Sequence, residues 1–505
     1  MTSKPPPAFA FGGKSFPLSA ANRHLFYLGA TGSGKTVSLR LLYQSFLPEV
    51  GLHAHEGGYR AVLYDAKQDL IGQLRQMNLR CPIVLASPFD RRSARWRISA
   101  DCTSPAVAFD IAHILCPVSE NTAQPFFEQA TVNLLYGVLK ALHLLAPFQW
   151  ELRHVALITR TEHHLRELLS QTVHTRHLVR RYLQDGKLSQ SVLATLDSKM
   201  ESYAILAALW ERASTSFSLQ DFVTGESILV LGSFEAARQA GDCLNRALMA
   251  RLSQLLLAQP DSNTRKTLVC FDELREAGFL QNISSLALRG RSRGIILAAG
   301  AQDTQGLEQV YGKAVAQELL GQFGFKAILK LESPETAQWA ASLYATTEVK
   351  EQHGQMSRTM GGEEMQFSHG VSETLRVREV VLPNQIMNLP PTSAKGGLHG
   401  FYKTPYGSFR THLDFMPLLK QRSEAEQRQL PDDYNFQQRP DSDQYLSDWT
   451  PEELGRFGLT PVPPDDLGPR QRSRQPRGIN NRGRGRNQNN QEDVLEERDD
   501  PDDED

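Results

Sequence analysis

Gly29-Ala30-Thr31-Gly32-Ser33-Gly34-Lys35-Thr36 meets the spacing Gly-x-x-x-x-Gly-Lys-Ser/Thr in full. Every part of that pattern has work to do on a phosphate. Glycines let the backbone turn tightly and bring its N–H groups onto anionic oxygens. A helix starting at Lys35 points its positive end at the same anion. Lys35 is set to reach the β and γ phosphates, and Thr36 to ligate Mg2+. The flanks agree: "HLFYLG" reads as a strand, and Lys35 to Phe46 carries helical apolar spacing.

A phosphate loop needs a second, acidic strand. "TLVCFDEL" supplies one, an apolar run ending in Asp272-Glu273. Asp272 is expected in the Mg2+ shell, and Glu273 as the group that polarises the attacking water. "YDAKQD" also ends a strand in an acid, but Ala66-Lys67 follow where a hydrolytic site wants an adjacent acid. Asp65 and Lys67 are therefore secondary members of the site. Downstream, Arg289, Arg291 and Arg293 precede a buried strand that ends in Gln302. A glutamine at such a tip can sense the γ-phosphate, and an arginine on a subunit edge can reach a neighbour's nucleotide. A solvated basic helix end is the competing reading for the arginines.

These residues need a scaffold. The chain of 505 residues, 40% hydrophobic and 22% charged, can build a large core. A formal net charge of -2 excludes a globally basic nucleic-acid binder, so any such surface is local. The five cysteines are scattered without a Cys-x-x-Cys pair, which predicts reduced thiols. No apolar run approaches bilayer length and no signal peptide opens the chain.

Strands alternating with helices predict an α/β fold with a mainly parallel sheet. Residues 1–23 read as an extended lead-in, and 24–103 as the first part of a nucleotide-binding domain. Residues 104–216 run helix after helix, as an inserted all-α domain. Residues 217–420 return to the nucleotide-binding domain, with a loop or weak hairpin at 348–373 and a terminal hairpin around Pro405–Gly407. Residues 421–505 read as a disordered tail, basic in "RQRSRQPRGINNRGRGR" and acidic in "EDVLEERDDPDDED".

"FDELREAGFLQNISSLALRGRSRGIILAAGAQDTQGLEQVYG" resembles the Walker B to motif III stretch of type IV coupling proteins, the DNA-pumping ATPases of conjugation and type IV secretion within the FtsK-HerA superfamily of P-loop motors. "AVLYDAKQDL", "SPFDRRSARWRISAD", "PFFEQATVNLLYGVL" and "VVLPNQIMNLPP" resemble further family segments in the same order, over residues 20–415. The resemblance implies a RecA-like P-loop ATPase domain. It implies ATP and Mg2+ on Lys35 and Thr36, Walker B at Asp272 and Glu273, motif III at Gln302 and an arginine finger at Arg291. It also implies a hexameric ring around DNA, with relaxosome or secretion-channel proteins meeting the all-α domain and the acidic tail. Two features depart from the family: the usual N-terminal pair of membrane helices is missing, and Ala66 and Gln68 replace the proline and glycine after Asp65.

The expected function is ATP-driven translocation of DNA, single-stranded for preference, by a cytoplasmic protein that a partner recruits to the inner face of the cell membrane. Two alternatives share the motor: a nucleotide-switched hexameric platform that recruits protein cargo, and an antiviral or genome-maintenance ATPase.

Overall fold

The computed structural model describes residues 7–77, 79–119, 124–184, 186–361, 364–419 and 436–463. Met1–Thr460 makes one compact unit.

Its backbone is a nine-stranded sheet in the order β15-β14-β11-β3-β10-β9-β4-β8-β5. These strands are β3 (Leu25–Leu28), β4 (Tyr59–Asp65), β5 (Ile83–Ala86), β8 (Ile228–Gly232), β9 (Lys266–Phe271), β10 (Ile295–Ala301), β11 (Phe325–Ile328), β14 (Leu398–Thr404) and β15 (Gly407–Leu413). The run from β11 to β5 is parallel throughout, and β14 and β15 close one edge antiparallel. The expected α/β fold with a mainly parallel sheet is observed. Alternation along each strand explains its burial on both faces. Phe26, Leu28, Val62 and Tyr64 face a core shared with the helices of 105–211, while Leu25, Tyr27, Ala61 and Leu63 face the Lys35–Phe46 helix. The helical segment thus shares a continuous core with the sheet.

Residues 8–17, expected in an extended lead-in, instead form a hairpin of β1 (Ala8–Phe11) and β2 (Lys14–Pro17). Its turn is Gly12-Gly13, both at positive φ, which only glycine adopts freely. Phe9 and Phe11 meet Phe325 edge-on at 5.3 and 5.4 Å, so the hairpin is part of the core. A short parallel pair, β6 (Arg95–Trp96) and β7 (Ser216–Phe217), brackets the helical segment. The polar stretch at 348–373 lies in a two-stranded hairpin longer than expected, β12 (Thr346–Gly361) with β13 (Glu364–Glu379). The terminal hairpin is β14–β15.

The tail expectation needs correcting over 436–460. These residues strap the sheet to the helices, because sparse aromatic and charged groups find specific partners. Phe436 stacks on Phe234 at 5.6 Å, and Phe234 on Phe89 at 4.7 Å. Arg439 is buried and donates to the carbonyls of Pro88 and Arg91. The Pro451–Phe457 helix, capped by Thr450 and Glu453, buries Phe457 beside His154. Glu453 accepts from Arg153 and pairs with His154 at 3.1 Å. The basic and acidic blocks of the tail lie outside the described residues.

That docking carries a pH dependence. Burial holds the His154 imidazole down to about 4. Burial pushes the Glu453 carboxyl up, but bonds from the Thr450 amide, Arg153 and His154 outweigh it and hold it down to about 2. Both groups bind fewer protons in the folded state than in the unfolded one. Stability from them is complete above about pH 6.5 and is lost as pH falls, first through the histidine and then through the carboxyl. Glu453→Gln is expected to lower the melting temperature at pH 7. It should also shrink the further drop expected of the wild type between pH 4.5 and pH 3, as read by thermal scans of both proteins.

Candidate functional site

In a parallel sheet, ligand sites gather beyond the carboxyl ends of the strands. β3, β9, β10 and β4 all deliver their C-terminal residues to one such edge. The phosphate loop spans Gly29 to Thr36 between β3 and the Lys35–Phe46 helix. Gly32 at φ 76° and Gly34 at φ 101° give it its turn. The Gly29 amide donates to the Ala301 carbonyl at 3.0 Å and the Ala30 amide to that of Lys330 at 2.8 Å, tying the loop to the tips of neighbouring strands. Ser33 is buried with its hydroxyl unpartnered, and the first-turn amides of the helix have no intrahelical carbonyls to bond. Thr31 is exposed at the loop's crest.

β10 lies between β3 and β9, so Asp272 and Glu273 reach the loop from two strands away. Close approach makes this possible: a Cβ on Gly300 would stand 2.0 Å from the Asp272 carbonyl oxygen. Thr36 Oγ1 lies 3.4 Å from Asp272 Oδ2, and Asp272 Oδ1 is buried without a partner. Lys35 Nζ lies 3.7 Å from Glu273 Oε2, with the two side chains 10% and 13% exposed. Gln302, just past β10, hydrogen-bonds the Glu273 carboxylate. Burial raises the Glu273 carboxyl above its usual range, against the pull of Lys35 and Gln302. Burial also lowers the Lys35 ammonium, which Glu273 and Asp272 partly restore.

Asp65 sits at the same edge in another role. It is buried and accepts from the amides of Lys67 and Leu70, the latter the first residue of the Leu70–Gln76 helix. Burial raises its carboxyl to about 6. Lys67 Nζ instead reaches Asp272 Oδ2 at 3.5 Å.

Arg291 is not brought to this cluster. It lies in the turn before β10, a whole strand from Gln302, and is exposed on the opposite edge with Arg289. Arg293 is committed to the carbonyls of Gln259 and Arg289. Of the other arginines, Arg92 pairs with Asp90, Arg95 with Glu151 and Arg97 with Asp221. All three are held in ion pairs, that of Arg97 with Asp221 on the exposed surface.

Two positioning residues escape a sequence reading. Thr392, far along the chain, donates from its hydroxyl to the Ser33 carbonyl at 2.7 Å and from its amide to that of Gly32 at 3.2 Å. It fastens the phosphate loop from outside, and only its place after "NLPP" hints at it. His24, buried at φ 60°, accepts from the Leu297 amide and so turns its other nitrogen to the Ala287 carbonyl. It pins the arginine-bearing segment to β10.

Among the described residues no cluster of three or more His, Cys, Asp or Glu forms a metal site, and no helix is long and apolar enough to cross a membrane. The cysteines are unpaired thiols.

A family model described as "Type IV secretion-system coupling protein DNA-binding domain" matches residues 8–413. The fold is similar to that of the bacterial conjugative coupling protein TrwBdeltaN70 in its unbound form, at a TM-score of 0.62 and 21% identity over 82% of this chain and 89% of that one. It is also similar to plasmid coupling protein TrwB in complex with ADP and Mg2+ (TM-score 0.61, 22% identity, 84% and 91% covered). The TrwB complex with the non-hydrolysable ATP analogue ADPNP gives a TM-score of 0.59 at 22% identity, with 82% and 90% covered. No curated protein matches the chain in sequence.

Proposed function

The chain belongs to the type IV secretion-system coupling-protein family, and from that premise we propose that it is an ATP-driven motor that moves DNA, single-stranded for preference, in conjugative transfer or type IV secretion. The observation that carries this reading is the convergence of Lys35, Thr36, Asp272, Glu273 and Gln302 on one sheet edge from separate segments.

The residues suit a nucleotide and Mg2+. The loop amides offer donors to phosphate oxygens, and Lys35 turns from Glu273 to the terminal phosphates. Thr36 Oγ1 and the orphaned Asp272 carboxylate oxygen would hold Mg2+, which on binding neutralises charge on the β and γ oxygens. Glu273 takes the proton of the attacking water, and its raised pKa suits it to that exchange. Gln302 orients Glu273 and reports the state of the γ position. Gly29 to Ser33 shape the cradle.

Arg291, on the opposite edge, acts on the site of an adjacent subunit in a hexameric ring, and DNA passes through the channel. Contacts to DNA are phosphate contacts, sensitive to salt and indifferent to sequence. Relaxosome or channel proteins engage the helical segment and the acidic tail, and a membrane-bound partner supplies attachment.

Mixing tests the arrangement between subunits. Arg291→Ala and Glu273→Gln should each be inactive alone. Combined under assembling conditions they should regain a fraction of wild-type turnover, because some interfaces then pair an intact Glu273 with an intact Arg291. Mixtures that stay inactive while co-assembling would contradict the placement of Arg291.

A further inference from the structure

Lys67 stands at the candidate site, and the chemistry proposed above gives it no part. Its Nζ lies 3.5 Å from Asp272 Oδ2, the same oxygen that stands 3.4 Å from Thr36 Oγ1. This is the only ion pair of Asp272 among the described residues. With Lys35 beside Glu273 at 3.7 Å, the charges at the strand tips balance, each carboxylate facing one ammonium. A cleft of about 20 Å³ opens here, with Thr36, Asp65, Lys67 and Asp272 among its walls. That volume admits one water-sized group.

The backbone at Lys67 is held while its head is free. The Asp65 carboxylate accepts from the Lys67 amide at 3.3 Å and from the Leu70 amide at 3.0 Å. Gln68 follows at φ 61°, a left-handed conformation that glycine adopts freely and other residues only at a cost. Its side-chain amide donates to the Ser233 carbonyl at 2.6 Å, which ties the strained turn to the residue just past β8. The Lys67 side chain itself is 64% exposed, so the ammonium can leave Asp272 without the loop moving.

Thr36 and Asp272 are also the residues that suit Mg2+. The two oxygens of one carboxylate are too close for an ammonium and a divalent cation to sit on them without strong like-charge repulsion. One of the two must go.

We propose that Lys67 is a stand-in cation: it neutralises Asp272 while the site lacks metal, and yields the carboxylate when Mg2+ binds with the nucleotide. The inference rests on the nucleotide reading above and adds the residue that sets how strongly nucleotide binding depends on metal. Its effect has two signs. Without metal, Lys67 shields the phosphates from the Asp272 charge and favours nucleotide. With metal, Lys67 has to be dislodged, and opposes it.

The test is calorimetry of ATP binding to the full chain at low ionic strength, in EDTA and in saturating Mg2+. Lys67→Met keeps the length of the side chain and removes its charge. It should weaken ATP about two- to fivefold in EDTA, the scale of one exposed ion pair, and leave it unchanged or tighter in Mg2+. The ratio of the two affinities therefore grows at least twofold, and half-saturation with Mg2+ at fixed ATP comes at a lower concentration. That titration reads the same effect where binding in EDTA is too weak for calorimetry. Lys67→Arg, which keeps the charge, should restore the wild-type ratio. Melting curves without ligand confirm that both variants are folded. A ratio that stays the same or shrinks in Lys67→Met would overturn the proposal. An equal loss in both buffers, the mark of an ordinary phosphate ligand or of a structural residue, is one such outcome. A wild type that binds no ATP even with Mg2+ would overturn the nucleotide reading itself.

Discussion

Lys35→Ala is expected to lower ATP turnover by about 10²–10³-fold, the scale of losing one preorganised donor to developing charge. Lys35 is the only cation among the described residues that the structure places against Glu273, at 3.7 Å and largely buried. It is also the only side-chain cation in the phosphate loop. Its burial lowers its pKa, but Glu273 and Asp272 oppose that shift. Removing it should damage phosphate binding and leave the fold intact, because its packing is with site residues. The check is steady-state turnover with nucleotide affinity, alongside circular dichroism and a melting curve. Full activity with alanine in place would exclude the loop as the site of chemistry.

Glu273→Gln should act differently. The amide keeps the shape and the contact with Gln302 but cannot accept the water's proton. Turnover should fall by about 10²–10⁴-fold, while ATP binding stays within a few fold of wild type or tightens, since like charge beside the phosphates is gone. The two variants together separate binding from chemistry: Lys35→Ala impairs both, and Glu273→Gln impairs only the second. Equal loss of ATP affinity in both would move the base to another group, with Asp65 the next carboxylate at the same edge. Asp65 is committed to the amides of Lys67 and Leu70, which makes that outcome hard to reconcile with the geometry.

Much of this was legible because its physics is local. The phosphate loop is eight consecutive residues whose glycines and helix start are a single design. Asp272-Glu273 ends an apolar run, and the parallel sheet follows from alternating elements. Other parts depended on distance. Thr392 meets the loop across more than three hundred residues, and its place after "NLPP" does not say what it will touch. The Gly300 contact with Asp272 belongs to neighbouring strand tips, which the order of elements does not specify. The strap at 436–460 reads as polar and unstructured, because its docking rests on a few residues: Phe436, Arg439, Glu453 and Phe457. The hairpin at 8–17 was readable in principle. Phe9, Phe11 and Phe16 flank Gly12-Gly13 in the pattern of a tight β-turn, while the prolines just before them favour extended chain.

The central claim is that ATP cleavage at this site is coupled to DNA. The most direct measurement is ATP turnover by the full chain under assembling conditions, without DNA and with single- or double-stranded DNA over a range of salt. The account predicts turnover that rises severalfold with DNA, more with single strands, with the stimulation fading as salt increases. A correctly folded protein that binds ATP with Mg2+ and turns it over at one rate whatever DNA is added would contradict the motor, and would favour a nucleotide-switched recruitment platform.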